Sequence, residues 1–248
     1  VAESLLGRRR TGIIKPPSSA PSSNGAAMVW RGLSLLSDKA KKDDDEEAGQ
    51  TLQMALNSGP LPDQAQAVVH YYLGVLAQRR QDDEATQTHW QAAHRLGLDT
   101  PHLDTNLSIV YRIRAEAHMA AGNWLAAISE AEAGLALQPE DRVLSELVAA
   151  AYFRQGNVEA EANRWDQALQ HWETARDAGE KSRALVHNLA LAYEKREDFM
   201  RAAEAWREVV RRRPRKADAP DALSQEQVAR LWQHIAECYL RAGAPEEA

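Results

Sequence analysis

One short motif recurs along the chain and constrains its fold more than any other feature. A polar turn is followed by an aromatic residue and, three positions later, by a small residue, in the segments 121–127, 162–168 and 197–202. A small residue also stands nine positions ahead of each of the aromatics Trp124, Trp165 and Phe199. Because glycine and polar residues interrupt apolar segments of helical length, each motif predicts the turn of a helix–turn–helix unit.

Two columns of small residues emerge when the units are aligned on this turn. The first column contains Gly74, Ala115, Gly156, Ala190 and Ala236, and the second contains Thr86, Ala127, Ala168, Ala202 and Ala248. Two antiparallel helices joined by a tight turn approach closely only where their side chains are small. The columns therefore mark the predicted crossing points of successive helix pairs.

This pattern resembles the tetratricopeptide repeat (TPR), a helical hairpin of about 34 residues. The resemblance implies an all-α fold, a right-handed superhelical solenoid of antiparallel helix pairs with about five to six repeats. A flexible Pro/Ser-rich linker is predicted over residues 1–27 and the helical repeat domain over 28–248. The predicted units are approximately 28–62, 67–100, 104–140, 141–180, 183–216 and 224–248.

The spacing of the units departs from the family repeat. Successive members of the second column are 41, 41, 34 and 46 residues apart from Thr86 to Ala248. A surplus of seven residues is close to two helical turns, so it can lengthen a first helix without rotating its buried face. We expect a long helix from about Arg142 to Asn163 and an equivalent helix that starts near Asp104. Ser224 and Gln227 predict a capping box for the last first helix.

Large side chains are expected to fill the spaces beside the small columns. The chain has seven tryptophans but only two phenylalanines. All seven tryptophans, at positions 30, 90, 124, 165, 172, 206 and 232, are predicted to be core residues. Glu159 stands where the family prefers a large apolar residue, and we expect it at an exposed edge.

The sequence ends at Ala248, where the second helix of the last unit would begin. The last repeat is therefore expected to be truncated and the chain to be a segment of a longer polypeptide. A first helix without its partner would expose Trp232, Ile235, Tyr239 and Leu240. Oligomers could form through this open end.

Composition and motifs argue against several classes of function. The net charge of −6 gives no reason to expect bulk nucleic-acid binding, and there is no apolar run of the roughly 18 residues that a membrane span needs. The lone Cys238 cannot form a disulfide framework within the chain, which favours a cytoplasmic location. No pair of histidines has metal-ligand spacing with a carboxylate, and no phosphate loop or nucleophile motif occurs. We expect no metal, no cofactor and no enzymatic activity.

The TPR resemblance implies a concave groove, lined by first helices, that binds a peptide or a helix of a protein partner. Carried over residue by residue, the partner-binding set is Tyr71, Val75, Gln78, Arg112, Glu116, Met119, Phe153, Asn157, Glu161, His187, Leu191, Lys195, Gln233 and Glu237. The carboxylate clamp of chaperone-binding TPR domains is not reproduced, because Glu116 would repel a carboxylate and the last two cations of the clamp are absent. The leading hypothesis is a non-catalytic interaction module or scaffold.

Two alternatives remain open at this point. The chain could be a regulatory or scaffold region fused to an enzymatic or chaperone domain outside this sequence. Alternatively, the basic segment 207–216 could contact nucleic acid or an acidic partner, although cations near a helix C-terminus also stabilise the helix dipole.

Overall fold

Eleven α-helices and one short 3₁₀ helix form the described part of the chain. The computed structural model describes residues 24–36, 44–212 and 223–248. The helices are α1 (Asn24–Leu35), α2 (Asp44–Asn57), α3 (Asp63–Arg79), α4 (Asp83–Arg95), α5 (Pro101–Ala120), α6 (Trp124–Leu137), α7 (Arg142–Glu161), α8 (Trp165–Asp177), α9 (Arg183–Lys195), α10 (Phe199–Arg211), α11 (Gln225–Arg241) and the 3₁₀ helix Pro245–Glu247. Consecutive helices pack as pairs, which confirms the all-α, TPR-like fold.

The helices belong to two compact units that divide between Val110 and Tyr111, inside α5. In the first unit, α1 to α3 enclose a core that includes Leu52, Val69 and Leu76. In the second unit, the largest core lies among α8 to α11. Its C-terminal part is formed by residues of α11 that pack on α10, among them Ile235 and Tyr239.

The last four residues of the predicted linker belong to a helix. Helix α1 begins at Asn24, so residues 24–27 are helical rather than part of the linker. Gly25 is buried, and a Cβ at this position would lie 2.9 Å from Ser58 Oγ and 3.0 Å from Leu61 Cδ2. Residues 1–23 of the predicted linker lie outside the described residues.

Both long first helices are present, each 20 residues in length. Helix α7 starts at Arg142 as predicted, where the Asp141 carboxylate accepts hydrogen bonds from the amides of Val143 and Leu144. It ends at Glu161 rather than Asn163, because Asn163 adopts a left-handed φ of 59° in the turn.

The predicted start of α5 near Asp104 is wrong. The helix begins at Pro101, and Thr100 Oγ1 accepts a hydrogen bond from the Leu103 amide at 3.3 Å. Proline fits the first helical position because an amide there would have no partner within the helix. Asp104 therefore lies in the first turn, where a carboxylate favours the helix dipole.

The capping box at the start of α11 is confirmed. The Ser224 hydroxyl accepts a hydrogen bond from the Gln227 amide at 3.1 Å, and the Gln227 side chain accepts one from the Ser224 amide at 2.8 Å. This reciprocal pair satisfies two donors that the first turn leaves free.

The first small column allows tryptophans of the second helices to approach the first helices. A Cβ at Gly74 would lie 2.3 Å from Cδ1 of Trp90, and one at Gly156 would lie 2.5 Å from Cδ1 of Trp172. Neither position can carry a side chain without movement of the indole. The predicted crossing points at these two glycines are thus real close contacts.

The tryptophans are not all core residues. Trp90, Trp172 and Trp206 are buried. Trp30, Trp124 and Trp165 are half-buried, and the last two are the first residues of their helices, where only part of the ring is covered.

The prediction is wrong for Trp232, which is 48% exposed. Helix α11 packs through Leu231, Ile235 and Cys238, and Trp232 is rotated from Leu231 by about 100° around the helix axis. A separate prediction was that a last first helix without its partner would expose its apolar face. The exposure of Trp232 and Leu240 agrees with that prediction. It is wrong for Ile235 and Tyr239, which are buried against α10.

Candidate functional site

Two polar contacts link three successive first helices of the second unit, α7, α9 and α11. The Asn188 side-chain amide on α9 donates to Asn157 Oδ1 on α7 at 2.9 Å. His234 Nε2 on α11 lies 2.8 Å from Glu194 Oε1 on α9. We call the predicted binding residues on these helices the first-helix face: Phe153, Asn157, Glu161, His187, Leu191, Lys195, Gln233 and Glu237.

The predicted binding residues all have accessible surface. Six are exposed, namely Glu116, Glu161, His187, Lys195, Gln233 and Glu237. Eight are half-buried, namely Tyr71, Val75, Gln78, Arg112, Met119, Phe153, Asn157 and Leu191. Tyr71, Val75 and Gln78 lie in the first compact unit and the others in the second. Binding of a partner by these residues stays a prediction.

Two of the predicted binding residues also hold a core tryptophan. The Trp172 indole N–H lies 3.3 Å from the Phe153 carbonyl and 3.2 Å from Asn157 Oδ1, and it donates to both acceptors. Asn157 Oδ1 therefore accepts from Trp172 and from Asn188 at the same time. Removing this amide would disturb the packing of α7, α8 and α9 as well as the surface.

Trp206 makes a different contact from its counterparts in the other helix pairs. Trp90 donates to the Tyr71 carbonyl at 3.0 Å, across Gly74. In the α9–α10 pair, Ala190 replaces the glycine, and the Trp206 indole donates to the Glu194 carboxylate. The rings of His187 and His234 both pack against this indole in T-shaped geometry, with centroid distances of 5.0 Å and 5.6 Å.

Glu194, His234 and Cys238 form a cluster beside Trp206. Their potential ligand atoms all lie within 4.8 Å of one another, and Cys238 Sγ is 4.0 Å from His234 Nε2. Burial, followed by the charge of Glu194, raises the pKa of the Cys238 thiol to about 11. His234 and Cys238 are four residues apart on one face of α11. In the sequence, only the four-residue spacing of His234 and Cys238 could have pointed to this cluster, because Glu194 comes from another helix.

Glu159 is buried, contrary to the prediction of an exposed edge. Its carboxylate accepts a hydrogen bond from Gln155 Nε2 at 2.7 Å and one from the Arg164 guanidinium. These two donors replace water as partners of the charge. The hydrogen bond from Arg164 is the main reason that the pKa of Glu159 lies below its ordinary value, and burial acts in the opposite direction.

The described part of the basic segment makes contacts within the chain. Arg207 donates to the Tyr239 hydroxyl at 3.0 Å, and Arg212 donates to the Lys181 carbonyl and to Glu208. Arg211 lies in the last turn of α10. Residues 213–216 lie outside the described residues.

Comparison with known proteins gives one family match and several fold matches. Residues 154–227 match a family model described as a domain of unknown function, DUF6340. No curated protein is detectably similar to the chain. Within the described residues, no helix combines the length and the apolar character that crossing a membrane requires.

The similar solved structures are TPR proteins. The TPR2AB domain of yeast Sti1 in a pHSP90 complex is 14% identical, with coverage of 90% of this chain and 86% of that chain and a TM-score of 0.39. The PilF protein of Pseudomonas aeruginosa is 13% identical, with coverage of 90% and 87% and a TM-score of 0.34. A TPR protein from Parabacteroides merdae is 14% identical, with coverage of 89% and 74% and a TM-score of 0.33. These values are too low to transfer a partner or an activity to this chain.

Proposed function

We propose that this chain, an all-α array of TPR-like helical hairpins, is a non-catalytic protein interaction module that binds a peptide or a helix of a partner on its first-helix face. The observation that carries the proposal is the alignment of α7, α9 and α11 by the Asn157–Asn188 and Glu194–His234 contacts. These two contacts link each of the three first helices to the next, which supports the proposal that their accessible side chains act together.

The chemistry of the surface suits a ligand with both apolar and charged groups. Phe153 and Leu191 are half-buried, so a partner could complete their burial. Glu161, Lys195 and Glu237 are exposed and carry charges of both signs. Half-buried apolar anchors surrounded by polar residues are typical of helix and peptide recognition surfaces.

The design of the test follows from the structural role of Asn157. Substitution of Arg112, Phe153 and Asn157 together would also remove the acceptor of Trp172, so a loss of binding would be ambiguous. Exposed positions avoid this problem. We therefore choose Glu161, Lys195 and Gln233, one on each helix of the face, for a photo-reactive benzoylphenylalanine. The matched control is Gln170, which is exposed on the second helix α8.

Cross-linking in cells should give one discrete product of the same mass from positions 161, 195 and 233 and none from position 170. Circular dichroism of each variant should match that of the unmodified protein. The assignment fails if the same product forms at position 170, or if none of the three first-helix positions gives a product.

The scaffold alternative uses the same surface. A region fused to a catalytic or chaperone domain would bind through the same face, and the cross-linked product would then be internal to the longer polypeptide. Contact with nucleic acid through the segment 207–216 is less favoured, because Arg207 and Arg212 already donate to groups of the chain. It predicts binding that weakens steeply with salt.

A further inference from the structure

We infer that Glu194, His234 and Cys238 form a binding site for a thiophilic divalent metal ion, best suited to Zn²⁺, that joins α9 to α11. The inference is independent of the proposed peptide binding. It rests on the position of three side chains of different chemistry, each of which offers one ligand atom.

The distances are compatible with one tetrahedral ion. Glu194 Oε1 and His234 Nε2 are 2.8 Å apart, and His234 Nε2 and Cys238 Sγ are 4.0 Å apart. Zinc bonds of about 2.0–2.3 Å in tetrahedral geometry place ligand atoms about 3.4–3.6 Å from one another. Both distances need changes of about half an ångström to reach this range. The third pair, Glu194 and Cys238, lies within 4.8 Å and must also close towards it.

The backbone already fixes two of the ligands on one side of α11. Residues four apart in a helix lie one above the other, so His234 and Cys238 point towards the same neighbour. The side chain of Glu194, near the C-terminal end of α9, reaches His234 on this side of α11. The side chains of Glu194 and His234 are 25% and 38% exposed, which leaves a route for an ion and for a water ligand at the fourth position.

Trp206 contacts two of the three proposed ligands, Glu194 and His234. Its indole N–H donates to the Glu194 carboxylate, and its ring meets the His234 ring at an interplanar angle of 76°. Outer contacts of this type orient metal ligands and tune their affinity. In this protein a single indole contacts two of the three ligands.

The charges and the softness of the ligands indicate the class of metal. A carboxylate and a thiolate together carry two negative charges, which match a divalent cation. Thiolate selects zinc and similar ions over Mg²⁺ and Ca²⁺, which prefer oxygen ligands. The ion would displace the thiol proton of Cys238, so binding should release a proton and strengthen as the pH rises.

Titration of the full chain with Co²⁺ and then Zn²⁺ tests the site. The wild type should bind one equivalent of Co²⁺ with a near-ultraviolet thiolate-to-cobalt absorption band, and Zn²⁺ should abolish the band by displacement. Cys238→Ser should lose the band. Glu194→Gln and His234→Gln should weaken zinc binding by at least about tenfold, because even outer-shell partners change metal affinity by about 10–100-fold.

The matched control is Glu226→Gln, which removes an exposed carboxylate on the same helix that lies outside both the cluster and the first-helix face. It should bind both metals as the wild type does. No cobalt band in the wild type, or an unchanged band in Cys238→Ser, would overturn the inference. If Cys238→Ser does not fold, the partly exposed His234→Gln decides: unchanged zinc affinity in that variant rejects the site.

Discussion

The indole of Trp172 lies directly against the backbone of Gly156, where an added Cβ would be 2.5 Å from Cδ1 of the ring. The glycine allows the indole N–H to reach the main-chain carbonyl of Phe153. Gly74 and Trp90 repeat the relationship in the first unit, where the indole donates to the Tyr71 carbonyl. The contact therefore stabilises two separate hairpins in the same way.

Replacement of this glycine should destabilise the protein. Gly156→Ala forces the indole away, and overpacking of this kind costs about 1–3 kcal/mol. Alanine is better than glycine in a helix by about 1 kcal/mol, which offsets part of the loss. A lower urea midpoint than the wild type is expected. In a Trp172→Leu background the same substitution should be neutral or stabilising, and a loss that persists there would rule out the indole as the cause.

The tryptophans should differ sharply in their contributions to stability. Trp172→Ala removes a buried ring and is expected to cost about 3–5 kcal/mol in the free energy of unfolding. Trp232→Ala, at a side chain that is 48% exposed, should cost less than about 1 kcal/mol. Chemical denaturation of the two variants measures both values. Equal losses would contradict the observed difference in burial.

Glu159 should stabilise the protein only while it is ionised. Its folded pKa lies below the ordinary value of 4.5, mainly because Arg164 donates to it, so its contribution is present above pH 4.5 and is lost as the pH falls through the folded pKa. Glu159→Gln should cost about 1.5–3 kcal/mol at pH 7, the range for hydrogen bonds to charged groups. The difference from the wild type should shrink below pH 4.5. Glu161→Gln, at an exposed acid of the same helix, is the control and should change neither value.

His70 and His89 should make the protein sensitive to mild acid. Their Nδ1 atoms are 3.1 Å apart, which requires one ring to be neutral and to accept a hydrogen bond from the N–H of the other. Burial is the main cause that lowers both pKa values from 6.5; Arg95 adds to the effect at His70, and the charge of His70 adds to it at His89, where Asp82 opposes it. Because the unfolded chain takes up protons first, stability is complete above pH 6.5 and falls as the pH drops towards the folded pKa values.

Thermal unfolding between pH 7.5 and 5 measures this effect. His89→Gln should flatten the loss of stability on acidification. The exposed His102→Gln should retain it. An unchanged pH profile in His89→Gln would show that the histidine pair is not responsible.

Local rules were sufficient for much of the fold. The turn residues, the two small columns and the Ser224–Gln227 box are short-range features, and they identified the helix pairs and the close contacts at Gly74 and Gly156. Side-chain burial depends on which neighbour a helix face meets. For this reason Trp232 was wrongly placed in the core and Glu159 wrongly placed at the surface.

The polar contacts between first helices could not be read from the sequence. Asn157 and Asn188 are 31 residues apart, and Glu194 and His234 are 40 residues apart. No periodicity relates such pairs, because the lengths of the intervening helices and turns determine which side chains meet. The predicted start of α5 was wrong for a different reason. Thr100 and Asp104 can both act as N-cap residues, and the position of Pro101 decides between them.

Ala190 has a consequence beyond its own helix pair. Its methyl group occupies the place where glycine elsewhere lets an indole meet the main chain, and the Trp206 proton goes instead to the carboxylate of Glu194. The buried indole of Trp206 therefore donates to an ionisable side chain that also contacts α11. Because Glu194 also lies 2.8 Å from His234 Nε2 on α11, loss of this one side chain would remove a contact inside the α9–α10 hairpin and a contact to the next first helix together.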